Sequence, residues 1–352
     1  FLLMASPPVK KRKLSNRKTD EIFWTKHENY NADLTKILSE VGEYEKVQGH
    51  RAKAKAYAKA VKALTSHNKA ITNGKEARNL DGIGEKISAK IDEILATGNL
   101  KKLDKYKGDK ELNSIRLFQR ISGVGPSAAI KWVRTDGYKT LDDLKNAKLN
   151  AHQTIGLKYF DEFEQRIPRK EVKKLEEIVM EHINEIDSKF IARTCGSYRR
   201  GRPNSGDIDI LLTHPSFTEA TKNSHPKMLE NIIDKLNKAK FLTDTLSSGH
   251  MKYMGVCQLP VEDGEENTNL HRRIDIRLVP IENYWCGLLY FTGSDFFNTQ
   301  MRIIALERGF TLNEYTLVPI GETGVTGKPL EVTCEEDVFE MLGMSYKTPE
   351  QR

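Results

Sequence analysis

The chain has 352 residues, of which 38% are hydrophobic and 30% charged, and its net charge is +7. This length predicts two or more compact units with apolar cores. Apolar runs fall short of the ~18 residues that span a bilayer, so we expect no membrane protein. The opening Phe1–Met4 is too short for a signal-peptide core, and we expect Met4 to be the natural start.

Cysteine spacing argues against a zinc site. The four cysteines lie far apart without any CxxC pair: Cys195, Cys257, Cys286 and Cys334. This pattern favours buried or idle thiols in a reducing compartment.

Positive charge is concentrated near the amino terminus. Residues 1–26 carry seven basic and two acidic side chains, and residues 51–110 carry fifteen and seven. We expect 1–26 to be a disordered basic tail. Its Lys10–Lys13 cluster resembles a nuclear-localisation signal, although such a cluster also suits a solvated or DNA-contacting arm.

Two helical blocks follow, at about 31–107 and 111–166. Arg51–Leu64 alternates Ala with Lys, but both are strong helix formers, and Tyr57, Val61 and Leu64 share one helical face. We therefore predict a helix there.

After residue 190 the pattern changes to short apolar or alternating segments, which predict strands. They are Ile208–Leu212, Met254–Leu259, Ile274–Val279 and Gly287–Phe291. Helical patterns at 171–186 and 226–238 interleave with them. The predicted fold class is α+β: two small all-α domains, followed by an α+β domain around a sheet.

A repeated glycine hairpin marks the helical blocks. Leu80-Asp81-Gly82-Ile83-Gly84 and Ile121-Ser122-Gly123-Val124-Gly125 match at a spacing of 41 residues, and each precedes a predicted helix. Glycine permits a tight turn and close approach of backbone to a phosphate. The free N–H groups at the following helix form an anion site. We therefore predict sequence-independent DNA-backbone contacts through Gly82, Gly84, Gly123 and Gly125.

Three aspartates alternate with aliphatic residues on predicted strands. Asp207 and Asp209 flank Ile208, and Asp275 follows Ile274, so the carboxylates should share one sheet face. Such a group repels itself unless divalent cations neutralise it, and oxygen-only ligands suit Mg²⁺. Gly196-Ser197 stands upstream with arginines between, which is the signature of the nucleotidyltransferase superfamily.

Longer strings resemble one family within it. They are CGSYRRG, SGDIDILLTHPSF, TDTLSSG, MGVCQLP, HRRIDIRL, LYFTGSDFFN and GFTLNEYT. The chain resembles the family X DNA polymerases, the DNA polymerase beta family, over roughly residues 27–350.

The resemblance implies a template-directed, gap-filling DNA polymerase of base excision repair that uses two Mg²⁺ ions, for which Mn²⁺ can substitute. Asp207, Asp209 and Asp275 would be the metal ligands, with Arg273 beside them. The nucleotide-binding residues it implies are Arg166, Ser197, Arg200, Ser205, Gly206, Tyr290, Phe291, Gly293, Asp295 and Asn298. Arg302 would contact the template strand, and carbonyls of Leu80, Ile83, Ile121 and Val124 would hold Na⁺ or K⁺.

The resemblance also implies a 5′-deoxyribose phosphate lyase. Lys90 would form a Schiff base with the opened sugar, with Lys86 and Tyr57 in the same DNA-binding pocket. Crowding by Lys53, Lys86 and Lys102 would favour the neutral amine. Ala52 and Ala89 replace polar or acidic pocket residues of the family, which puts the lyase rate in question, and Thr299 replaces a lysine near the template.

The resemblance implies two helix–hairpin–helix domains, then a nucleotidyltransferase-type palm with a mixed or antiparallel sheet and a carboxy-terminal α+β subdomain. We expect five segments. They are a tail (1–26), a helical lyase and DNA-binding domain (27–107), a thumb-like helix–hairpin–helix subdomain (108–168), a catalytic palm (169–281) and a subdomain for the nascent base pair (282–352). Expected partners are gapped or nicked double-stranded DNA, dNTP and other base-excision-repair proteins. We expect a nuclear monomer without membrane contact.

Two alternatives remain open from the residues. A template-independent nucleotidyltransferase would need a long loop before Met254, where only Ser247–His250 intervenes. A catalytically silent DNA-binding scaffold would need neither the three aspartates nor the Gly-Ser pair.

Overall fold

The computed structural model describes residues 29–352 apart from positions 226, 263, 322 and 323. The tail predicted for residues 1–26 lies outside the described residues. Within the described part, helices occupy the region up to residue 163, and a mixed sheet flanked by helices follows. The α+β fold class is confirmed.

Short amphipathic helices build the amino-terminal region. Arg51–Ser66 is helical with Tyr57 and Leu64 buried, as its apolar spacing predicts. The helices are α1 (Ala32–Val47), α2 (Arg51–Ser66), α3 (Gly74–Ala77), α4 (Glu85–Thr97), α5 (Lys101–Lys107), α6 (Lys110–Gln119), α7 (Pro126–Arg134), α8 (Ala151–Lys158) and α9 (Phe160–Phe163).

The two helical blocks share one apolar core. Buried side chains from Leu34 to Phe160 form a single cluster. Tyr44 of α1 also donates a hydrogen bond to Asn113 of α6 at 3.2 Å. The first hairpin block is therefore packed against the second.

A five-stranded mixed sheet forms the centre of the following region. Its strands are β2 (Ile191–Thr194), β4 (Ile208–Thr213), β5 (Leu242–Ser248), β6 (Lys252–Cys257) and β7 (Arg272–Leu278), and a small separate pair joins β1 (Ile167–Pro168) to β3 (Asn204–Ser205). The order in the sheet is β2-β4-β7-β6-β5, with β4 and β7 parallel and the other neighbours antiparallel.

The two faces of this sheet have different chemistry. Ile208, Ile210, Ile274 and Ile276 are buried in a cluster with α10 (Arg169–Ile186) and α12 (Met228–Lys238), while α11 (Gly196–Arg199) lies between β2 and β3. Alternate residues of β7 on the opposite face are only partly buried. Asp209 of β4 and Arg273, Asp275 and Arg277 of β7 therefore share the second face.

The strand predicted at Gly287–Phe291 is wrong. These residues lie in α13 (Tyr284–Thr292), and Gly287 lets this helix approach Leu211 of β4. The helix is buried on most sides, so its uniformly apolar sequence lacks the periodicity that separates a short helix from a strand.

The carboxy-terminal region packs around a smaller core. Its remaining elements are α14 (Asp295–Glu307), β8 (Phe310–Leu312), β9 (Leu317–Pro319) and α15 (Glu335–Met341). Of the helices that the structure describes, none combines the length and apolar composition needed to cross a membrane.

Candidate active sites

Three aspartates lie on the second face of the central sheet. Asp209 on β4 and Asp275 on β7 are register partners in the parallel pairing of these strands. Asp207 precedes β4 by one residue, and its carboxylate accepts a hydrogen bond from Nη2 of Arg273 at 3.2 Å. Alternation along the two strands thus places the predicted aspartates in one patch.

Burial and mutual repulsion raise the pKa of two carboxyl groups in this patch. Burial, followed by the charges of Asp207 and Asp275, raises the pKa of Asp209 to about 7, although Arg277 and Arg273 oppose the shift. Burial and the charge of Asp207 also raise the pKa of Asp275. Nearby positive charge would favour the ionised form of both carboxyl groups.

The donor chemistry of the patch fits a hard divalent cation. All three side chains offer carboxylate oxygens, which are the ligands that Mg²⁺ prefers. Across the described residues, however, no three or more His, Cys, Asp or Glu side chains are arranged as a ready metal cluster. Charge and ligand type therefore point to Mg²⁺, while the side-chain positions do not form a completed site.

The Gly-Ser segment packs directly against this patch. Gly196 has φ +57°, and a Cβ there would lie 2.6 Å from Oδ2 of Asp209. Ser197 at the start of α11 donates a hydrogen bond to the hydroxyl of Ser205 at 2.9 Å. Arg166 lies over Gly206, where a Cβ would be 2.9 Å from its Nη1. The predicted triphosphate-binding residues are thus gathered next to the aspartates.

Arg200 connects these residues to the end of α13. Its Nη1 donates to the carbonyl of Thr292 at 2.5 Å, and its buried Nε has no hydrogen-bond partner. Gly293 has φ +63°, and a Cβ there would lie 3.2 Å from the same Nη1. A larger residue at 293 would be strained and would push against the arginine.

The predicted nucleoside-binding residues surround this junction. The rings of Tyr290 and Phe291 meet edge to face with centroids 5.0 Å apart. Asn298 donates to the carbonyl of Tyr290 at 2.8 Å, and the Arg302 guanidinium lies 5.2 Å from the Tyr290 ring. Asp295 begins α14 and lines a cavity of about 630 Å³ that faces α1 and α2.

The two glycine hairpins have the same geometry. Gly82 and Gly123 have φ +89° and +85°. The turns close with Ile83 N–H donating to the carbonyl of Leu80 at 3.2 Å and Val124 N–H donating to that of Ile121 at 3.0 Å.

The second glycine of each hairpin is the N-cap of a helix. Gly84 precedes α4 and Gly125 precedes α7, and a Cβ on either would meet no atom within 4 Å. The space beside each helix N-terminus is therefore open at these glycines, as the close approach of a phosphate requires.

Lys90 lies in a separate basic cluster. Its Nζ donates to the carbonyl of Lys86 one turn earlier at 2.8 Å. Burial, followed by the charge of Lys102, lowers the pKa of Lys90, and Lys86 adds to this effect. Lys102 also lies 5.9 Å from the ring centroid of Tyr57. Lys53 instead lies 3.8 Å from a carboxylate oxygen of Glu45.

Glu45 is the part of this cluster that our sequence reasoning missed. Its side chain is 0% exposed, and it accepts hydrogen bonds from Lys102 at 2.5 Å and from Tyr106 at 2.9 Å. It also lies 2.8 Å from Nδ1 of His50. A usable signal exists, because Glu45 continues the buried stripe of Leu38 and Val41 along α1.

A second ion-pair network was also missed. Arg199 of α11 forms a two-point pair with the buried Glu335, at 2.9 and 2.6 Å. Arg352 pairs with the same carboxylate at 2.6 Å. This network ties the Gly-Ser helix to the carboxy-terminal region.

Four family models match consecutive parts of the chain. They are a helix-hairpin-helix domain (29–100), the fingers domain of DNA polymerase lambda (116–164), the DNA polymerase beta palm (166–281) and the DNA polymerase beta thumb (287–352).

Curated relatives align over 92% of this chain. Rat DNA polymerase lambda is 37% identical, Arabidopsis thaliana DNA polymerase lambda 33%, and human DNA-directed DNA/RNA polymerase mu 24%. The chain spans 56% of the rat relative's length, 62% of the Arabidopsis relative's and 69% of the human one's.

Proposed function

This chain belongs to the family X DNA polymerases, and we propose that it is a template-directed DNA polymerase that fills gaps during base excision repair. A second proposed activity is removal of the 5′-deoxyribose phosphate through a lysine Schiff base. The observation that carries the first proposal is the aspartate patch, with Asp209 and Asp275 in register beside the Gly-Ser helix.

The polymerase site would join a dNMP to a primer 3′-hydroxyl and release pyrophosphate. Asp207 and Asp209 would hold both divalent cations, and Asp275 would hold the one beside the primer, with Arg273 next to it. When bound, Mg²⁺ or Mn²⁺ lowers the pKa of the hydroxyl and neutralises charge on the triphosphate. Asp209, with its raised pKa, is the carboxylate that gains most from such compensation.

The neighbouring residues would position the dNTP. Ser197, Ser205 and the backbone at Gly206 would contact the triphosphate together with Arg166 and Arg200. The buried Nε of Arg200 has no hydrogen-bond partner in the protein, which supports a triphosphate oxygen as its acceptor. Alignment of the triphosphate with the primer would supply most of the rate enhancement.

The α13–α14 junction would hold the nucleoside. The sugar would lie against Tyr290, Phe291 and Gly293. Asp295 and Asn298 would face the base, and Arg302 would face the template strand.

The hairpins would hold the DNA backbone on both sides of the gap. Gly82, Gly84, Gly123 and Gly125 would admit phosphates to the helix N-termini. Carbonyls of Leu80, Ile83, Ile121 and Val124 would hold Na⁺ or K⁺, which fits their matched turn geometry.

For the lyase, Lys90 would attack C1′ of the opened sugar. An ordinary lysine has a pKa of ~10.4, so only about one in a thousand is neutral near pH 7.4. The lowered pKa of Lys90, caused by burial and by Lys102, increases this fraction. Lys86 and Tyr57 would line the pocket.

We assign the lyase to 27–107, the second DNA-binding unit to 108–168, the palm to 169–281 and nascent-base-pair binding to 282–352. We further propose a nuclear location and monomeric action on gapped or nicked duplex DNA with other base-excision-repair proteins.

Single-nucleotide insertion on a gapped duplex with Mg²⁺ tests the polymerase assignment. Asp275→Ala should reduce insertion by at least about 1,000-fold, because charge compensation is the largest part of such catalysis. The matched control Asp142→Ala removes a carboxylate that is 83% exposed and should leave the rate unchanged. Normal insertion by Asp275→Ala would refute the assignment.

Borohydride trapping on an incised abasic site tests the lyase. Lys90→Ala should abolish trapping while gap filling continues, whereas the control Lys105→Ala should trap normally. Full trapping by Lys90→Ala would place the nucleophile elsewhere, with Lys86 the first residue to examine.

A further inference from the structure

A Schiff-base lyase needs a base as well as a nucleophile. After the imine forms, the C2′ proton must leave before the C3′–O bond can break, and the lysine nitrogen is then committed to the imine. Ala52 and Ala89 in the proposed pocket carry no polar side-chain atom. The proton acceptor must come from another part of the cluster.

His50 has the geometry of an oriented base. Its Nδ1 lies 2.8 Å from Oε2 of Glu45, whose side chain is 0% exposed, while the His50 side chain is 44% exposed. A buried carboxylate on one ring nitrogen fixes the ring orientation and leaves the other nitrogen, Nε2, accessible. Glu45 also accepts a hydrogen bond from Lys102 at 2.5 Å, and the charges of Glu45 and Lys102 both act on Lys90, so Glu45 links His50 to the neighbourhood of Lys90.

The other candidate bases of this cluster are less suitable. Glu45 itself is fully buried and engaged by Lys102 and Tyr106. Burial raises the pKa of Tyr57, which keeps its phenol protonated. Glu93, one turn after Lys90, accepts a hydrogen bond from the backbone N–H of Lys101 at 2.8 Å.

We propose that His50, oriented by Glu45, accepts the C2′ proton in the elimination step of the lyase reaction. This inference rests on the proposed lyase function and adds a catalytic residue to it. Glu45 is a positioning residue in this account, since it acts through His50 and Lys102.

The step balances without any further reactant. Lys90 Nζ and C1′ form the imine with loss of water. Nε2 of His50 takes the C2′ proton, the electron pair forms the C2′=C3′ double bond, and the C3′–O bond breaks. The leaving group is the 5′-phosphate of the downstream strand, and water then hydrolyses the imine to free Lys90.

Single-turnover assays on an incised abasic duplex separate imine formation from elimination. In the full chain, His50→Ala and His50→Gln should slow strand release by about 100-fold, the lower range for a lost general base. Borohydride trapping should stay within about twofold, because the lost base acts after imine formation. Added imidazole should restore release in His50→Ala. The matched control is His67→Gln at the opposite end of α2, which should release normally.

The outcomes distinguish the two proposals. Unchanged release by His50→Ala, with normal trapping by the unmodified chain, overturns the role of His50 and leaves the lyase intact. Loss of trapping in His50→Ala without rescue by imidazole means that His50 is structural, which also overturns the inference. Absence of trapping by the unmodified chain instead defeats the lyase proposal itself, and full trapping by Lys90→Ala moves its nucleophile to another residue.

Discussion

The two candidate sites handle charge in opposite ways. The sheet site gathers acidic side chains, and burial, followed by the charges of Asp207 and Asp275, raises the pKa of Asp209 to about 7. The helical site gathers basic side chains around one buried carboxylate, Glu45, which pairs with Lys102 and His50. The first arrangement attracts cations, whereas the second fixes one lysine as a cation beside another that loses its proton more easily. The proposed polymerase reaction needs the bound cations, and the proposed lyase reaction needs the neutral lysine.

The largest expected effect on stability comes from Glu45→Gln. It would leave Lys102, which is 33% exposed, without its anion and should lower the free energy of unfolding by about 3 kcal/mol, at the low end for breaking a buried pair. Urea unfolding followed by circular dichroism measures this loss. The control Glu40→Gln removes a half-exposed pair with Lys107 and should cost less than about 1 kcal/mol. An equal loss of unfolding free energy in the two variants would show that the Glu45 pair stabilises the fold no more than an exposed pair does.

The same carboxylate should make this loss depend on pH. Burial opposes ionisation of Glu45, but hydrogen bonds from Lys102, His50 and Tyr106 lower its pKa on balance. A depressed carboxyl pKa stabilises the fold above the unfolded value of ~4.3 and loses this contribution as pH falls through the folded value. The difference between the original chain and Glu45→Gln should therefore be full at pH 7 and shrink below about pH 4. A constant difference across this range would contradict the assigned ionisation of Glu45.

Mg²⁺ should stabilise the sheet site without any substrate. At 100 times its dissociation constant a ligand adds about 2.7 kcal/mol, which for a chain of this size raises the melting temperature by several degrees. Calorimetry with and without Mg²⁺ measures the shift. Asp209→Asn should abolish it, and Asp142→Ala should keep it. A shift that survives Asp209→Asn would place the cation elsewhere.

The amino-acid sequence predicts more of the aspartate patch than of the cluster around Glu45. The aspartate patch follows from local alternation, since period-two spacing puts Asp209 and Asp275 on one face and buries Ile208 and Ile274 on the other. Glu45 and Lys102 are 57 residues apart, so no local pattern pairs them. The helix at Gly287–Phe291 was predicted as a strand for a different reason: it is buried on most sides, so its sequence has no helical periodicity of apolar residues. Strands β2 and β5 were also not predicted, although exposed residues alternate with less exposed ones along most of β5.

The smallest expected effect comes from the hairpin glycines. Gly84→Ala meets no neighbouring atom and needs no positive φ, so stability should change by less than about 1 kcal/mol. DNA affinity should nevertheless fall, since the added methyl group lies where a phosphate would approach the start of α4. Fluorescence anisotropy with a gapped duplex at two salt concentrations measures this effect. Gly108→Ala, whose Cβ would make only ordinary contacts, should bind normally. Equal DNA affinities for the original chain, Gly84→Ala and Gly108→Ala would contradict a phosphate site at the hairpin.

The central claim is that two separate charge clusters perform two separable reactions. One gapped duplex with distinct labels on the primer and on the 5′-sugar phosphate tests it most directly, with both products scored in the same reaction. Asp275→Ala should release the sugar phosphate without extending the primer, and Lys90→Ala should extend the primer without releasing the sugar phosphate. Loss of both products in either variant, with the fold intact, would contradict the account.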